Sequence, residues 1–457
     1  MRKGNARFGK RDMGYVQTLN SLVLGLFSNG EPGFWLDPSD LSTMYQDSAG
    51  TTPVTAVEQP VGRINDKSGR GCNFTQSTAG VRPVLSARVN KLTNTEAFNL
   101  WTAQGGVVIA NQVANPVNDQ ITAGFLYENG TQAWHQLFVT NYTAYGTYSC
   151  FAKAGTRQYL SLMMSSGNTT TYAGAVFDLL GGTVTNTVGA NGAVVNNAYM
   201  VPVPGKAGWF FCSVAATSAT AVDYQAVAIS NAASPTYGSY GHISYQSDGA
   251  SGLYVWGADL RPTDQATGLI PTYQRVNTST DYDTAGFPLY LSGNGTQWMQ
   301  CAAQDYTGVN KMLVCAGVRK LSDATTGIAE MSGTAGLFSL LVVAGGYFFR
   351  SQGTTDVNVA STGSAAPVTN VVTLLGDISA PVITGRVNGV QKSTSASSQG
   401  TGNYGNQAVT LFARAGGGSG FLTGGIYQIV GRGSTVASNA AQIAATENWT
   451  DSKCRAY

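Results

Sequence analysis

From about residue 90 to the C-terminus the chain repeats one local pattern. Runs such as "TYSCFAKA", "QYLSLMM", "GAVFDLL", "GWFFCSVAAT" and "GLYVWGADL" are rich in β-branched and aromatic residues and are bounded by Gly, Asn, Ser and Thr clusters. That is the signature of strands joined by tight turns. A second series, "KMLVCAGVRKL", "LFSLLVVAGGYFFRS", "PVTNVVTLLGDIS", "PVITGRVNGV", "AVTLFARAGG" and "FLTGGIYQIVGRG", follows after about residue 285. Strands do not alternate with helix-length segments, so a parallel sheet is excluded and an all-β protein with two jelly-roll-type β-sandwiches is implied. Only 11% of residues are charged, against 57 Gly and 22 Tyr. Exposed helix faces need charged side chains, so this balance also argues against a helical protein. A length of 457 residues suits two domains, and no short repeat period points to a solenoid or propeller.

Two segments depart from the β pattern. "ASNAAQIAATENW" near the C-terminus predicts a helix capped by Ser438 or Asn439, with Ala and Ile filling its face. At the other end, Val16, Leu19, Leu22 or Val23, and Leu26 recur at helical spacing and predict a short amphipathic anchoring helix. Asp12, the shortness of the apolar run and the absence of a small-x-small cleavage pattern argue against a signal peptide. No stretch approaches the roughly 18 apolar residues of a membrane span. Five of the 26 basic residues, Arg2, Lys3, Arg7, Lys10 and Arg11, lie in the first eleven positions, so the body carries fewer bases than its 24 acids. Such an arm is either a solvated tail or a device that docks on an acidic surface or nucleic acid within an assembly. The net charge of +2 is too small for a general nucleic-acid binder.

Residues that carry chemistry are sparse. The six cysteines (Cys72, Cys150, Cys212, Cys301, Cys315, Cys454) form no CxxC pair and have no nearby histidines, which excludes a zinc site and implies buried free thiols in a protein made in a reducing cytoplasm. "EPGFWLDPSDLSTMYQDSAG" gathers Glu31, Asp37, Asp40 and Asp47 around Trp35. Its acids read as turn and capping residues, with Ser39 or Asp40 capping "LSTMYQ" and "FWL" a strand that buries Trp35. His135 and His242 sit beside no nucleophile and read as surface or strand-edge residues, and no GxSxG elbow is present. Asp305, Asp323, Asp356 and Asp377 are loop acids without calcium-loop spacing and read as turn residues. The Asn-x-Thr matches at Asn73, Asn141 and Asn168 are expected by chance in so Asn- and Thr-rich a chain. No catalytic residue, metal or cofactor is assigned, and the chain reads as a non-enzyme.

Three blocks carry a resemblance. "VNKLTNTEAFNLWTAQGGVVI" (89–109), "CFAKAGTRQYLSL" and "GLYVWGADLRPTDQATGLIPT" together resemble a β-sandwich module of bacteriophage head-spike and tail-fibre proteins, sometimes called carbohydrate-binding. "RVNGV" (386–390), "LFARAGGGSGFLTGGIYQIVGRG" (411–433) and the final helix resemble the closing half of a laminin-G-type, concanavalin-A-like jelly roll, in which Asn388 and Gly389 form a type I′ turn. "FWLDPSDLSTMYQDSAG" through "RPVL" resembles the opening of that same sandwich, which in relatives runs directly into a strand like "FPLYLSGNGTQWMQCAA" (287–303). The resemblance covers about residues 28–457 and implies one discontinuous sandwich, 31–88 plus 281–457, behind the basic arm and short helix read at 1–30 from charge and spacing. The phage module at 89–280 is inserted into a loop, where chain closure is tolerated. A small independent N-terminal cap is the alternative.

The implied function is that of a tailed-bacteriophage virion structural protein: a spike, fibre or decoration subunit of head or tail, made in the host cytoplasm and carried on the particle. The arm would dock on capsid or tail proteins, the chain would be a homo-oligomer, and the sandwiches would contact host-surface glycans through exposed rings. Trp298, Trp209 and Trp256 are the candidates, with Trp298 after a Gly/Asn turn the most exposed and Trp256 closest to core spacing. A purely architectural head or tail component without a ligand is the alternative, and a polysaccharide depolymerase a third. A depolymerase would need two carboxylates about 5–10 Å apart across a cleft.

Overall fold

The computed structural model describes residues 19–140, 146–166, 170–218, 223–261 and 268–456. The basic residues of the arm, Val16, Asn141 and Asn168 lie outside them. The chain divides into two compact units, Met1–Ala87 with Pro288–Tyr457, and Arg88–Phe287. Both are all-β jelly-roll-like sandwiches built from antiparallel strands.

The organising element of the first unit is the strand Thr423–Ser434. One of its edges pairs along its length with Lys311–Lys320. Its other edge takes two short strands end to end, Tyr290–Asn294 against its first half and Gly33–Leu36 against its second, with Trp35 opposite Val430. Val84–Ser86 then extends the sheet beyond Tyr290–Asn294. The facing sheet joins Arg63–Ile64 and Phe74–Thr75 to Met299–Cys301, Val409–Leu411 and the strands from Thr326 to Ala360. Side chains from both sequence segments, among them Phe34, Ile64, Phe74, Leu85, Val314, Ile328, Phe349, Leu374 and Ile429, fill one core. The turn Asn388-Gly389 has φ values of 50° and 72°, the doubly left-handed geometry of a type I′ hairpin. It joins two strands at the edge of the sheet, Val382–Val387 and Val390–Ser395, rather than two central ones.

The strand Lys311–Lys320 reads as nearly continuous apolar sequence because both its faces are covered. Met312, Val314, Ala316 and Val318 face the core, whereas Leu313 and Cys315 pack outward against the helix Ala440–Cys454. Asn439 caps that helix in a reciprocal box: its side chain accepts from the Gln442 N–H at 2.9 Å, and its own N–H donates to Gln442 Oε1 at 3.0 Å. The buried residues are Thr446, Glu447, Trp449, Thr450 and Cys454, with Ile443 packed partly buried beside them as expected and the expected alanines not among the buried set. Trp449 meets Trp35 edge-on with ring centroids 5.0 Å apart, and that bulk decides which side turns inward. Residues 19–25 are helical. Leu19, Val23 and Leu26 join the same tryptophan cluster, leaving Leu22 and Leu24 about half exposed at 49% and 48%. The described part of this N-terminal helix thus covers the outer face of its own sheet.

The second unit stacks two six-stranded sheets, ordered 183–190, 172–178, 159–165, 224–230, 136–140, 102–104 and 194–202, 209–217, 147–153, 252–261, 121–128, 106–114. The three motif segments that resemble the phage module converge here. Strand Thr147–Lys153, which leads into "AKAGT", pairs directly with Gly252–Arg261, which carries "YVWGAD". Thr156 Oγ1 accepts the Gly252 N–H at 2.9 Å. Buried Asn90 of "VNKLT" donates to the carbonyls of Ala258 and Gln274 and accepts the N–H groups of Leu92 and Leu260. The Gln274 side chain in turn accepts the N–H groups of Val89 and Asn90. Gly257 is a bulge with φ of 64°, where the register against Ser149 and Phe151 slips. The bulge resets the alternation, so Leu253, Val255, Ala258 and Leu260 all face the inner core while Tyr254 and Trp256 face out.

Candidate functional site

The four acids of the opening stretch are structural. Glu31 pairs with buried Arg432 at 2.9 Å; burial disfavours its charge, but the bonds from Arg432 and Asn29 outweigh that and lower its pKa. Asp37 accepts from Ser39 and sits 3.5 and 3.2 Å from the ammonium groups of Lys67 and Lys453. Asp40 precedes a 3-10 turn, Leu41–Thr43, without capping its backbone; its carboxylate instead takes Lys67 at 2.7 Å and Ser42 at 2.6 Å. Asp47 accepts the N–H groups of Gly50, Thr51 and Thr52, which hold its carboxyl well below the usual carboxylate range.

The other acids resolve in the same way. Asp305 bonds Thr307, Asp323 pairs with Lys320, Asp356 with Arg350 and Asp377 with Lys311. Among the described residues no group of three or more His, Cys, Asp and Glu side chains is placed to hold a metal. A cleft of about 690 Å³ in the first unit is bordered by Ser28–Pro32, Arg432, Ser434–Ala437, Asn439 and Gln442; Glu31, bound to Arg432, is the one carboxylate among those described residues.

Both histidines are buried, which corrects their placement at the surface. His135 has ring nitrogens 2.7 Å from the Gly105 carbonyl and 3.0 Å from that of Tyr245. His242 stacks on Trp134 with centroids 4.1 Å apart. Its Nδ1 lies 3.0 Å from Gln136 Oε1, and Gln136 donates onward to Tyr224 and Gln104. Burial lowers the His242 pKa to about 4, so the ring is neutral near pH 7 and its Nδ1–H is the donor.

The three tryptophans do not form one site. Trp209 and Trp256, 5% and 1% exposed, lie in an aromatic cluster with Phe151, Tyr199 and Phe211 on the outer face of one sheet, closed over by Ile270 and Tyr273. Trp256 donates to Thr122 at 3.0 Å and meets Tyr273 at 4.7 Å. Neither offers a free ring face. Trp298 belongs to the other unit and packs partly buried on its core. Gly417 lies so close over it that an added Cβ would stand 2.5 Å from the ring. The Gly-rich loop that follows a strand in sequence therefore folds back onto the ring that the neighbouring turn seemed to expose.

An aromatic surface does exist on the same outer face, beyond the covered cluster. Cross-strand register places Lys153, Tyr254, Phe125 and Ile109 in one row, with Tyr127 and Val107 in the next. Phe125, Tyr127 and Tyr254 are half-buried, and Val107 and Ile109 are 38% and 46% exposed. Phe125 lies nearly parallel to Tyr127 at 6.1 Å and 5.1 Å from Tyr254. The signal in sequence is the alternation in "GFLYE", which puts Phe125 and Tyr127 on one face at a spacing of two. Pyranose C–H faces pack on such rings, and the Tyr hydroxyls and the Lys153 ammonium supply polar partners.

The fold and this surface define a two-unit antiparallel β-sandwich protein with an aromatic row on one sheet. The sequence matches no protein-family model and no curated protein. Among solved structures it is similar to the CBM40 of Ruminococcus gnavus IT-sialidase, at 17% identity and a TM-score of 0.26, over 32% of this chain and 97% of that one. It is similar to the receptor binding domain of botulinum neurotoxin D, at 11% identity and 0.29, over 38% of this chain and less than half (47%) of that one. The SAP-like pentraxin of Limulus polyphemus gives 13% and 0.26, over 35% and 78%. At these scores the likenesses say nothing of what this chain binds.

Proposed function

We propose that the chain is a non-enzymatic structural protein of a tailed-bacteriophage particle, a spike, fibre or decoration subunit that holds two β-sandwiches outward and contacts host-surface glycans. The observation that carries the binding part is the half-exposed row of Phe125, Tyr127 and Tyr254. The particle part rests on the sequence resemblance, two of whose segments meet where Asn90 donates to the Ala258 carbonyl and accepts the Leu260 N–H. A single row of rings is a weak site. Many copies of a homo-oligomer on one particle raise its avidity by orders of magnitude.

The binding part is tested with the full-length protein on an array of bacterial surface polysaccharides. The wild type is expected to bind a subset in a multivalent format. The Tyr127→Ser/Tyr254→Ser double variant, whose half-buried side chains lie outside the inner core, is expected to lose at least about tenfold in apparent affinity, since each stacked ring contributes on the order of 1 kcal/mol. Equal binding by the double variant, or none by the wild type, contradicts the glycan reading and leaves the architectural one.

A further inference from the structure

The six strands of the sheet that bears the aromatic row carry Glu128, Lys153, Asp259 and Arg261 as their only charged residues. Three of these charges are matched inside the protein. Buried Glu128 is bound by Arg157, and Asp259 pairs with Arg261 at 2.8 Å. Lys153 differs. It is half-buried, yet its ammonium has no ion pair and no hydrogen bond among the described residues. Register sets it directly opposite Tyr254 on one side and Trp209 on the other. Gly208, with φ of 75°, runs along its stem, where an added Cβ would stand 3.4 Å from Cε and 3.7 Å from Cγ. The stem is packed, and the charge that ends the row of Tyr254 and Phe125 has no counter-ion.

We propose that the row takes acidic glycans, with an anionic group of the ligand, a carboxylate or a phosphodiester, on the Lys153 ammonium and a sugar ring on Tyr254 and Phe125. The inference rests on the glycan reading of this surface and adds which glycans it selects. A sugar seated on these rings strips water from the neighbouring ammonium. A neutral sugar returns only ordinary hydrogen bonds for that loss, whereas an anion returns a charge-assisted one. The same cation therefore attracts the acid and works against its uncharged analogue.

The surrounding loops give the ligand a direction. Lys206 and Asp119 satisfy each other. Past the Tyr127 end of the row lies Asp248, whose carboxylate takes the Ser251 N–H at 2.7 Å and stands 3.8 Å from Arg157. Asp248 is more than half exposed at 52%, so it repels an anion at that end. The acid group of the ligand accordingly lies toward Lys153 and the less charged part toward Tyr127.

The test uses the full-length protein on immobilised bacterial polysaccharides in three arms: uronate-bearing chains, the same chains after carboxyl reduction, and teichoic acids. The wild type is expected to bind at least one acidic arm and to lose about tenfold or more on the carboxyl-reduced form of a uronate ligand. Which acidic arm binds tells carboxylate from phosphodiester. Binding should weaken as salt rises from about 0.05 to about 0.5 M. Lys153→Gln should lose about tenfold on the acidic ligand and flatten that salt dependence, while Lys153→Arg retains most of both. Equal binding of a uronate chain and its reduced form, or binding of the reduced form alone, overturns the acidic selection and leaves the glycan reading intact. Binding in no arm and to no neutral polysaccharide overturns both. Acidic binding that survives Lys153→Gln and Tyr127→Ser/Tyr254→Ser belongs to another surface, such as the basic residues 2–11, and overturns the assignment to the row. The comparison of native and reduced chains needs only the wild type, so it decides the selection even where a variant folds poorly.

Discussion

Replacing Arg157 with Met should destabilise the Arg88–Phe287 unit by about 3–5 kcal/mol. Glu128 is fully buried, and Arg157 neutralises it with two bonds, Nε–Oε1 at 2.6 Å and Nη2–Oε2 at 3.0 Å. Tyr245 donates to the same carboxylate at 2.7 Å, and burial, reinforced by the bond to Glu128 and its charge, raises the pKa of its hydroxyl. Removing the guanidinium leaves a carboxylate that water cannot reach and that the Tyr245 hydroxyl and the Asp248 N–H, at 3.3 Å, do not neutralise. Urea unfolding followed on that unit's transition measures the loss, and the Glu128→Gln/Arg157→Met double variant should recover much of it because no buried charge remains. A loss below about 1 kcal/mol would mean the pair behaves like a surface ion pair.

The same unit should lose stability on mild acidification through His242. Its folded pKa of about 4 lies below the ordinary value of 6.5, so between those values the unfolded chain binds a proton that the folded one refuses. Stability is therefore complete above about pH 6.5 and falls as pH drops toward 4, by roughly 3 kcal/mol in all. The cause is burial against Trp134, Tyr224 and Tyr240, with Gln136 accepting from the neutral ring. Other groups titrate in this range, so the measurement is the difference between wild type and His242→Gln in denaturant midpoints from pH 7.5 to 4. That difference should shrink steadily with acid, and parallel profiles would contradict the assignment.

The all-β class was legible because strand periodicity and turn residues are local signals, and so was the hairpin at Asn388-Gly389. Of the two caps the sequence offers for the final helix, Ser438 and Asn439, the structure uses Asn439. Burial was harder to read. The burial of Trp256 and the partial cover of Trp298 come from elsewhere in sequence: Tyr273 and Ile270 over Trp256, and Gly417 beside Trp298. The histidines read as surface residues because their partners, Gly105, Gln136 and Tyr245, are set by sheet register and not by neighbours in the chain. The aromatic row escaped notice for the converse reason. Phe125 and Tyr127 look like any strand residues until register lays Tyr254 and Ile109 beside them.

The central claim is that this protein is carried on the outside of a phage particle. Density-purified particles, digested for mass spectrometry and labelled with gold-conjugated antibody to the full chain, test it most directly. The account predicts many copies per particle, with gold on the exterior of intact particles at the head or along the tail. Recovery of the protein from infected-cell lysate but not from purified particles would contradict it.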